Sequence, residues 1–412
     1  MVRVPANRCG CAKSSCSALR SRRSGLLNIS KMAATTPAAA TAQHVVHIEA
    51  VQTAVPTRVV EPGRTRLVAV AAPPLQAPAL QRRVRAVLYY RRADGTAAPD
   101  AWEDGVWVKE SLSEALADHP EMAGRLRRRA DGSWEVKLND TGVRLLQATV
   151  DATLDEFLAG KGLKRRETAL APWTDVNADD PDMCPPFFMQ LTRFQGDGGY
   201  AVGVSCALVL ADPLTLARFL LSWARTHARM RAQSKATPLP MAQYLAYFQR
   251  PETTRKRVRS VPIDSFAGDG AAETVLFRAG AAAADGGHGD HTALAAACVD
   301  KASEALGKKD KVSRLSVVVV DAPAHAAAGD DWLAGKTTIG TCTASGGGAA
   351  AAASLEAVQW SELGLEKLVL RDSKPVLVSY SIVTGGGGDE GLVVVMPDDG
   401  AGSFLVTATL PK

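Results

Sequence analysis

The stretch YAVGVSCALVLADPLTLARFLLSWA, residues 200–224, decides the fold of this chain. Its first seven residues alternate in the way that is typical of a β-strand. Asp212 is a natural helix N-cap, and Pro213 suits the first helical position because a missing N–H costs nothing there. The apolar residues that follow recur at helical spacing. The stretch therefore predicts a strand, a tight turn and a helix.

Composition excludes several classes of protein. A chain of 412 residues is long enough for two domains, each with its own core. The net charge of +5 is mild, and without a recognisable recognition motif it does not predict nucleic-acid binding. No apolar run is long enough to predict a transmembrane segment. The seven cysteines are odd in number and scattered, so neither a metal site nor a disulfide framework is predicted.

The N-terminal segment, residues 1–43, is predicted to lie outside the fold. No acidic residue occurs before Glu49, and Arg, Lys, Ser and Ala are abundant. This composition is typical of an organelle transit peptide, which would place the protein in a plastid. Alternatively, Met32 is the true start of a disordered leader, and the protein is cytoplasmic.

Residues 44–229 are predicted to form an N-terminal α/β domain. The predicted elements are strands at 44–51, 83–92, 143–148 and 187–194, a helix stripe at 108–116, a short helix at 154–158 and a hairpin at 124–136. The Pro-rich segment that ends at Pro78 is predicted to be extended. Residues 230–269 contain four prolines and a basic cluster, and they are predicted to be a solvated crossover linker.

Residues 270–412 are predicted to form a C-terminal α/β domain. Its predicted elements are strands at 274–277 and 315–321, a helix at 292–305, and a final meander of strands at 376–383, 392–396 and 404–410. Residues 322–353 are predicted to be a loop around one short strand. The four-glycine run at 385–388 joins two strands and lacks the Lys-Ser/Thr pair of a phosphate-binding loop.

Several segments in a fixed order carry a family resemblance: ESLSEALADHPEMAGRL (110–126), LNDTGVRLLQA (138–148), FFMQLTRFQGDGGYAVGVS (187–205), SKPVLVSYSIV (373–383) and GLVVVMP (391–397). Over residues 44–412 the chain resembles the plant BAHD acyl-CoA-dependent acyltransferases. The resemblance implies two similar chloramphenicol-acetyltransferase-like α/β domains. Each would be a mixed sheet backed by helices, with the active site in a channel between them. It also implies acyl-CoA as co-substrate without a bound cofactor, and we expect a monomer.

Two of these segments, LNDTGVRLLQA and SKPVLVSYSI, resemble the eceriferum/Glossy branch of the family. That resemblance implies a role beside the condensing enzyme of the fatty-acid elongase, in making very-long-chain wax precursors. The corresponding location would be the cytosolic face of the endoplasmic reticulum.

The catalytic motif of the family, His-x-x-x-Asp, is altered in this chain. Aligned on Asp212, the histidine position holds Leu208, and the following glycine position holds Pro213. In the family this histidine is the general base that takes the proton from the acceptor, and a leucine cannot accept a proton. The motif aspartate, Asp212, is structural in the family. The sequence therefore predicts an impaired acyltransferase, a pseudoenzyme.

The second family motif, Asp-Phe-Gly-Trp-Gly, is also lost. It falls on residues 369–373, VLRDS, where no position matches. The family often places an arginine after a strand of the second domain to pair with the motif aspartate, and here Pro323 stands near that position. The acyl-CoA machinery is thus altered at several points.

Substitute bases or nucleophiles are few. His119, His227 and His325 are predicted to be surface or capping residues, since none lies in the turn. Cys206 is predicted to share a strand face with Leu208 as a buried thiol without an activating partner. The substrate-channel candidates are Cys206, Leu208 and Asp212.

Three functions remain open at this stage. The first is a binding protein that has lost acyl transfer. The second is an active, divergent O- or N-acyltransferase in which proximity alone drives the reaction. The third is a degraded gene product without stable function.

Overall fold

Two β-sheets organise the part of the chain that the structure describes. The computed structural model describes residues 44–71, 75–92, 101–138, 141–236, 258–266, 272–280, 291–308, 312–320, 336–343, 355–386, 390–397 and 403–411. Gln43–Lys412 form one compact unit and Met1–Ala42 another. The predicted leader and its two alternatives lie outside the described residues.

The strands and helices have the following bounds. The strands are β1 Val45–Ala54, β2 Thr65–Val70, β3 Arg83–Tyr90, β4 Arg125–Arg128, β5 Trp134–Lys137, β6 Val143–Val150, β7 Phe187–Phe194, β8 Tyr200–Ala207, β9 Arg259–Pro262, β10 Ala272–Ala279, β11 Arg314–Val320, β12 Thr337–Thr343, β13 Leu355–Val358, β14 Leu377–Val383, β15 Gly391–Pro397 and β16 Phe404–Pro411. The α-helices are α1 Ala77–Leu80, α2 Ala101–Asp118, α3 Leu154–Ala159, α4 Leu163–Arg166, α5 Pro213–Ala236 and α6 Thr292–Ala305.

The predicted α/β class with mixed sheets is confirmed. One sheet has seven strands in the order β14-β3-β8-β7-β6-β1-β9, and the other has nine in the order β13-β10-β16-β15-β11-β12-β2-β5-β4. The seven-stranded sheet contains the parallel pair β6–β7, and the nine-stranded sheet contains the parallel pairs β11–β15 and β12–β2. The remaining pairs are antiparallel.

The sheets exchange strands across the predicted domain boundary. Strand β14 pairs with β3 in the seven-stranded sheet, whereas β2, β5 and β4 join the nine-stranded sheet. The predicted C-terminal meander is therefore wrong for its first strand, because β14 leaves β15 and β16 for the other sheet. Division into domains at residues 44–229 and 270–412 stays a prediction.

Two further predictions need correction. The segment predicted to be extended through Pro78 does contain extended backbone, in β2, but Pro78 itself lies in α1. Residues 230–269 are not wholly a linker, because α5 continues to Ala236 and β9 pairs with β1 through contacts such as Val46 opposite Val261. The backbone hydrogen bonds to β1 hold β9 in the sheet, although the prolines of this region had predicted a loop.

Strand β8 lies inside the seven-stranded sheet, between β3 and β7, and all of its residues are buried. Residue 203 must be a glycine for a steric reason, since a Cβ there would lie 2.0 Å from the carbonyl oxygen of Leu170. On the face that carries α2 and α5, Phe219 of α5 packs edge-on against Phe187 of β7 at 5.7 Å between ring centroids. Helix α6 covers the nine-stranded sheet at β16, β15 and β11. No helix in the described ranges is both long enough and apolar enough to cross a bilayer.

Candidate functional site: the turn between β8 and α5

The turn that follows β8 is closed by its own backbone. The amides of Leu210 and Ala211 both donate to the carbonyl oxygen of Ala207, at 2.9 and 3.1 Å. The amide of Leu208 donates to the carbonyl oxygen of Arg82, at 2.9 Å, which ties the turn to the residue before β3. The strand–turn–helix predicted from the sequence is confirmed, with α5 beginning at Pro213.

Leu208 is a core residue. Its side chain is 1% exposed, and it belongs to the central apolar cluster together with Cys206 and the rest of the turn. A catalytic base must reach the acceptor proton within hydrogen-bonding distance. The position that corresponds to the family histidine instead holds an apolar group inside packed side chains.

A buried guanidinium and a hydroxyl cover the carbonyl groups of the turn. Arg66 of β2 is 2% exposed, and its Nη2 donates to the carbonyl oxygens of Val209, at 2.8 Å, and Leu210. Thr337 of β12 donates its hydroxyl to the same Val209 oxygen at 3.1 Å. We call Arg66 and Thr337 the turn clamp. Because both residues come from the nine-stranded sheet, the clamp fastens the turn to the sheet opposite its own strand.

Asp212 caps α5, as the sequence predicted. Its carboxylate accepts from the backbone amide and from the hydroxyl of Thr215, both at 2.8 Å. Burial raises the pKa of Asp212, and the hydrogen bonds from Thr215 and the charge of Arg218 oppose that rise. These contacts give the carboxylate a structural use, while its role in any chemistry stays a prediction.

Cys206 is fully buried near the end of β8. Burial raises the pKa of its thiol, although the nearby charge of Arg66 acts in the opposite direction. A thiol nucleophile needs the reverse shift, which a neighbouring base or cation normally provides. The environment of Cys206 is that of an inert core thiol.

Neither of the described histidine candidates, His119 and His227, supplies a substitute base at the turn. His227 was predicted to be a surface or capping residue, and this is wrong, because it is buried in α5 with Nδ1 2.9 Å from the Ser111 hydroxyl of α2. Trp223 Nε1 donates to the same hydroxyl at 3.0 Å. His119 is half-buried beyond the end of α2, with Nε2 3.3 Å from the Ser222 hydroxyl. His325 lies outside the described residues.

The buried His227 is expected to make the fold acid-sensitive. Burial, with the charges of Arg231 and Arg371 adding to its effect, lowers the pKa of His227 to about 4. An unfolded histidine has a pKa near 6.5, so the unfolded state binds the extra proton between these values. Stability should therefore fall as the pH drops from about 6.5 to about 4, by up to about 3 kcal/mol.

Urea denaturation of the wild type and of His227→Gln across pH 4–7 measures this contribution. The variant should lose most of the acid-dependent slope. An identical slope in the wild type and His227→Gln would contradict the assignment.

The lost second motif is occupied by a strained turn. Leu370 and Ser373 form an isolated antiparallel bridge, and the two residues between them, Arg371 and Asp372, have φ angles of 51° and 61°. Left-handed backbone costs a non-glycine residue roughly 1–2 kcal/mol. The Tyr200 hydroxyl donates to the Leu370 carbonyl at 3.1 Å. The chain thus keeps a defined turn at the motif position with none of the motif residues.

Relieving this strain should stabilise the protein. Asp372→Gly removes the side chain that disfavours the left-handed backbone, and we expect a gain of about 0.5–1 kcal/mol in the free energy of unfolding. Thermal unfolding measures the change. Asp197→Gly is a useful comparison, because Asp197 accepts from the amides of Leu154 and Gly199 and its loss should destabilise. A fall in stability on Asp372→Gly would mean that the carboxylate has a contact that outweighs the strain.

Among the described residues, no group of three or more His, Cys, Asp or Glu side chains could hold a metal ion. The sequence candidates Cys206, Leu208 and Asp212 do lie together at the end of β8. Sequence reasoning missed Arg66. This residue lies in the short strand TRLVAV, and a charged residue in a short strand is usually predicted to face solvent.

Comparison with known protein sequences finds similarity over part of the chain. Residues 83–269 match the model of the Transferase family. Tryptamine hydroxycinnamoyltransferase 2 from Oryza sativa subsp. japonica is 35% identical over 154 residues, which is 37% of this chain and 32% of the relative. Protein ECERIFERUM 26-like from Arabidopsis thaliana is 30% identical over 162 residues, which is 39% of this chain and 37% of the relative. The chain spans about a third of the length of these curated relatives.

Among solved structures, vinorine synthase is similar with a TM-score of 0.47 and 16% identity, covering 89% of this chain and 95% of that one. The class defined here is a mixed α/β protein whose strand–turn–helix is fastened to a second sheet. Over the matched parts, the chain is similar to the Transferase family and to these two plant relatives. The wax branch and the loss of catalysis stay predictions.

Proposed function

We propose that this chain is a BAHD-type protein that has lost ordinary acyl transfer and acts by binding an acyl chain or acyl-CoA. The observation that carries the proposal is the burial of Leu208 at the position of the family base. General base catalysis typically contributes about 10²- to 10⁴-fold to a rate, and none of the described groups around the turn provides that function.

The turn clamp supports the same proposal. A working channel needs open space beside the motif residue, because the acceptor must approach the base. Here Arg66 and Thr337 occupy the carbonyl side of the turn, and Cys206 and Leu208 occupy the core side. The strands that cross between the two sheets still hold the fold together, although on this proposal the protein no longer catalyses acyl transfer.

A second candidate is an active, divergent O- or N-acyltransferase. It is favoured by the 35% identity over 154 residues with a tryptamine hydroxycinnamoyltransferase, whose name denotes transfer of an acyl group to an amine. An amine acceptor can react with a bound thioester when the two are held close together. This candidate requires turnover without the histidine.

A narrower form of the first proposal concerns fatty-acid elongation. The 30% identity over 162 residues with an ECERIFERUM 26-like protein favours it, together with the segments that resemble the eceriferum/Glossy branch. In this form the protein assists an elongase condensing enzyme, at the cytosolic face of the endoplasmic reticulum. Co-purification with that enzyme, and chain-length analysis of its products with and without this protein, would test it.

The deciding experiment measures binding and turnover together. The chain from Met1 and the chain from Met32 are each titrated calorimetrically with acyl-CoAs of increasing chain length, with free CoA as control. Release of CoA is then followed with mixed alcohol and amine acceptors. We expect acyl-dependent binding and CoA release at the buffer rate.

Each other outcome has a definite meaning. Release well above the buffer rate would overturn the proposal in favour of the divergent transferase. If free CoA binds as tightly as acyl-CoA, the protein does not recognise the acyl chain. Absence of binding from a protein that melts cooperatively would overturn acyl binding, and absence of a cooperative melt would favour the degraded product.

A further inference from the structure

A small cavity lies beside α1, where β2, β11 and β12 adjoin it. Its volume is about 190 Å³. Apolar side chains line one part of it: Val70, Leu75, Pro78, Ala79 and Ile339. Polar side chains line the rest: Gln76, Arg82, Arg314, Ser316, Thr341 and Glu390. The combination of an apolar wall with convergent charged groups is typical of small-molecule sites.

The deepest charged group of the cavity is Arg82. Its side chain is 8% exposed, and it donates to the Ser316 hydroxyl and to Glu390, the latter at 3.1 Å between Nη2 and Oε2. The Nε atom of Arg82 and the Oε1 atom of Glu390 are buried without a hydrogen-bond partner among the described residues. Buried polar atoms are normally paired, so these two require a partner that the described residues do not supply.

The other guanidinium of the cavity, Arg314, begins β11 and is exposed. No ion pair or hydrogen bond to its side chain is formed within the described segments. The polar lining therefore holds two cationic groups against one carboxylate, and Glu390 is already engaged by Arg82. Within the described part of the chain, the lining of the cavity therefore carries an excess of positive charge at its exposed side.

We propose that this cavity binds a small monocarboxylate with a short apolar body. The carboxylate would lie between Arg314 and the buried Arg82, since planar guanidinium groups pair with carboxylates through two parallel hydrogen bonds. The apolar body would lie against Leu75, Ala79 and Ile339. A dry cavity of about 150 Å³ is known to hold a benzene ring, so the volume suits a ligand of that size.

The site is separate from the turn of the proposed function. The two are linked through the backbone of Arg82, whose carbonyl oxygen accepts a hydrogen bond from the Leu208 amide. The side chain of Arg82 instead donates to Ser316 of β11 and to Glu390. The carboxylate proposal needs neither a thioester nor CoA. It therefore stands or falls independently of acyl-CoA binding.

Benzoate is the probe, and the full chain is titrated by calorimetry at low salt. Benzyl alcohol and benzylamine have the same ring without the negative charge. We expect benzoate to bind at least about 10-fold more tightly than either, as a charge-assisted hydrogen bond implies. Equal binding of benzoate and benzyl alcohol would overturn the proposal.

Variants locate the binding. Arg314→Gln should weaken benzoate at least about 10-fold, because it removes the exposed cation without disturbing the core. Arg259→Gln is the matched control, since Arg259 is exposed on β9 of the other sheet and should change affinity less than about twofold. Glu390→Gln should strengthen binding, because it removes the carboxylate that competes for Arg82. Unchanged affinity in Arg314→Gln, or absence of benzoate binding by the wild type, would assign the orphan polar atoms to ordered water alone.

Discussion

Replacing Arg66 with alanine is expected to lower the free energy of unfolding by about 3–5 kcal/mol. Arg66 is 2% exposed, and its guanidinium supplies hydrogen bonds to the carbonyls of Val209 and Leu210. Alanine would leave the Leu210 oxygen without that donor and would open a void beside the turn. Both losses act on the folded state, because the unfolded chain presents these groups to water.

Two further variants separate charge from volume. Arg66→Met keeps most of the buried volume and removes the donors, so it should cost less than Arg66→Ala. Thr337→Val removes one hydroxyl donor from the Val209 oxygen and should cost about 0.5–1.5 kcal/mol. Arg259→Ala, an exposed arginine of β9, should change stability by less than about 0.5 kcal/mol.

Urea denaturation of this series measures how much the turn clamp contributes to the free energy of unfolding. The order of stability expected is wild type and Arg259→Ala, then Thr337→Val, then Arg66→Met, then Arg66→Ala. Similar stabilities of Arg66→Ala and Arg259→Ala would show that the turn holds its place without the clamp. A clamp that contributes so little to stability would also weaken the case against a channel at Leu208.

Local patterns predicted the local elements of this chain well. Strand alternation and the Asp212–Pro213 start signal predicted β8, the turn and α5, because each depends on residues close in sequence. The helix over 292–305 was predicted to the residue for the same reason. The Asp131–Gly132 turn correctly joined β4 to β5.

Long-range pairing was beyond the sequence. Nothing in the alternation of residues 377–383 specifies that β14 pairs with β3, whose residues lie almost 300 positions earlier. Burial of His227 depends on the approach of α2, whose Ser111 meets it across the helix pair. The same limit applies to Arg66, because only the fold shows that β2 brings it to the turn.

Restoring the family histidine with Leu208→His is expected to destabilise the protein without restoring acyl transfer. Leu208 is 1% exposed within the central core. An imidazole there would bring a polar ring into apolar surroundings, and we expect a loss of at least about 3 kcal/mol. Release of CoA from acyl-CoA should stay at the wild-type rate, because the turn clamp and the altered second motif remain.

Acid should increase the loss caused by this substitution. Burial lowers the pKa of a histidine, whereas the unfolded histidine titrates near 6.5. The unfolded state therefore takes up the extra proton as the pH falls below about 6.5, and Leu208→His should lose further stability there relative to Leu208→Ala. This comparison subtracts the acid dependence of His227, which both variants share.

Urea denaturation at pH 5 and pH 8, together with a CoA-release assay, tests the prediction against two matched substitutions. Leu208→Met should cost less than about 1.5 kcal/mol, because it conserves volume and polarity. Leu208→Ala should cost about 2–5 kcal/mol through the void that it leaves. Leu208→His with wild-type stability and CoA release above the buffer rate would overturn the argument. It would show that the turn keeps room for an acceptor and that the missing base alone separates this chain from an active transferase.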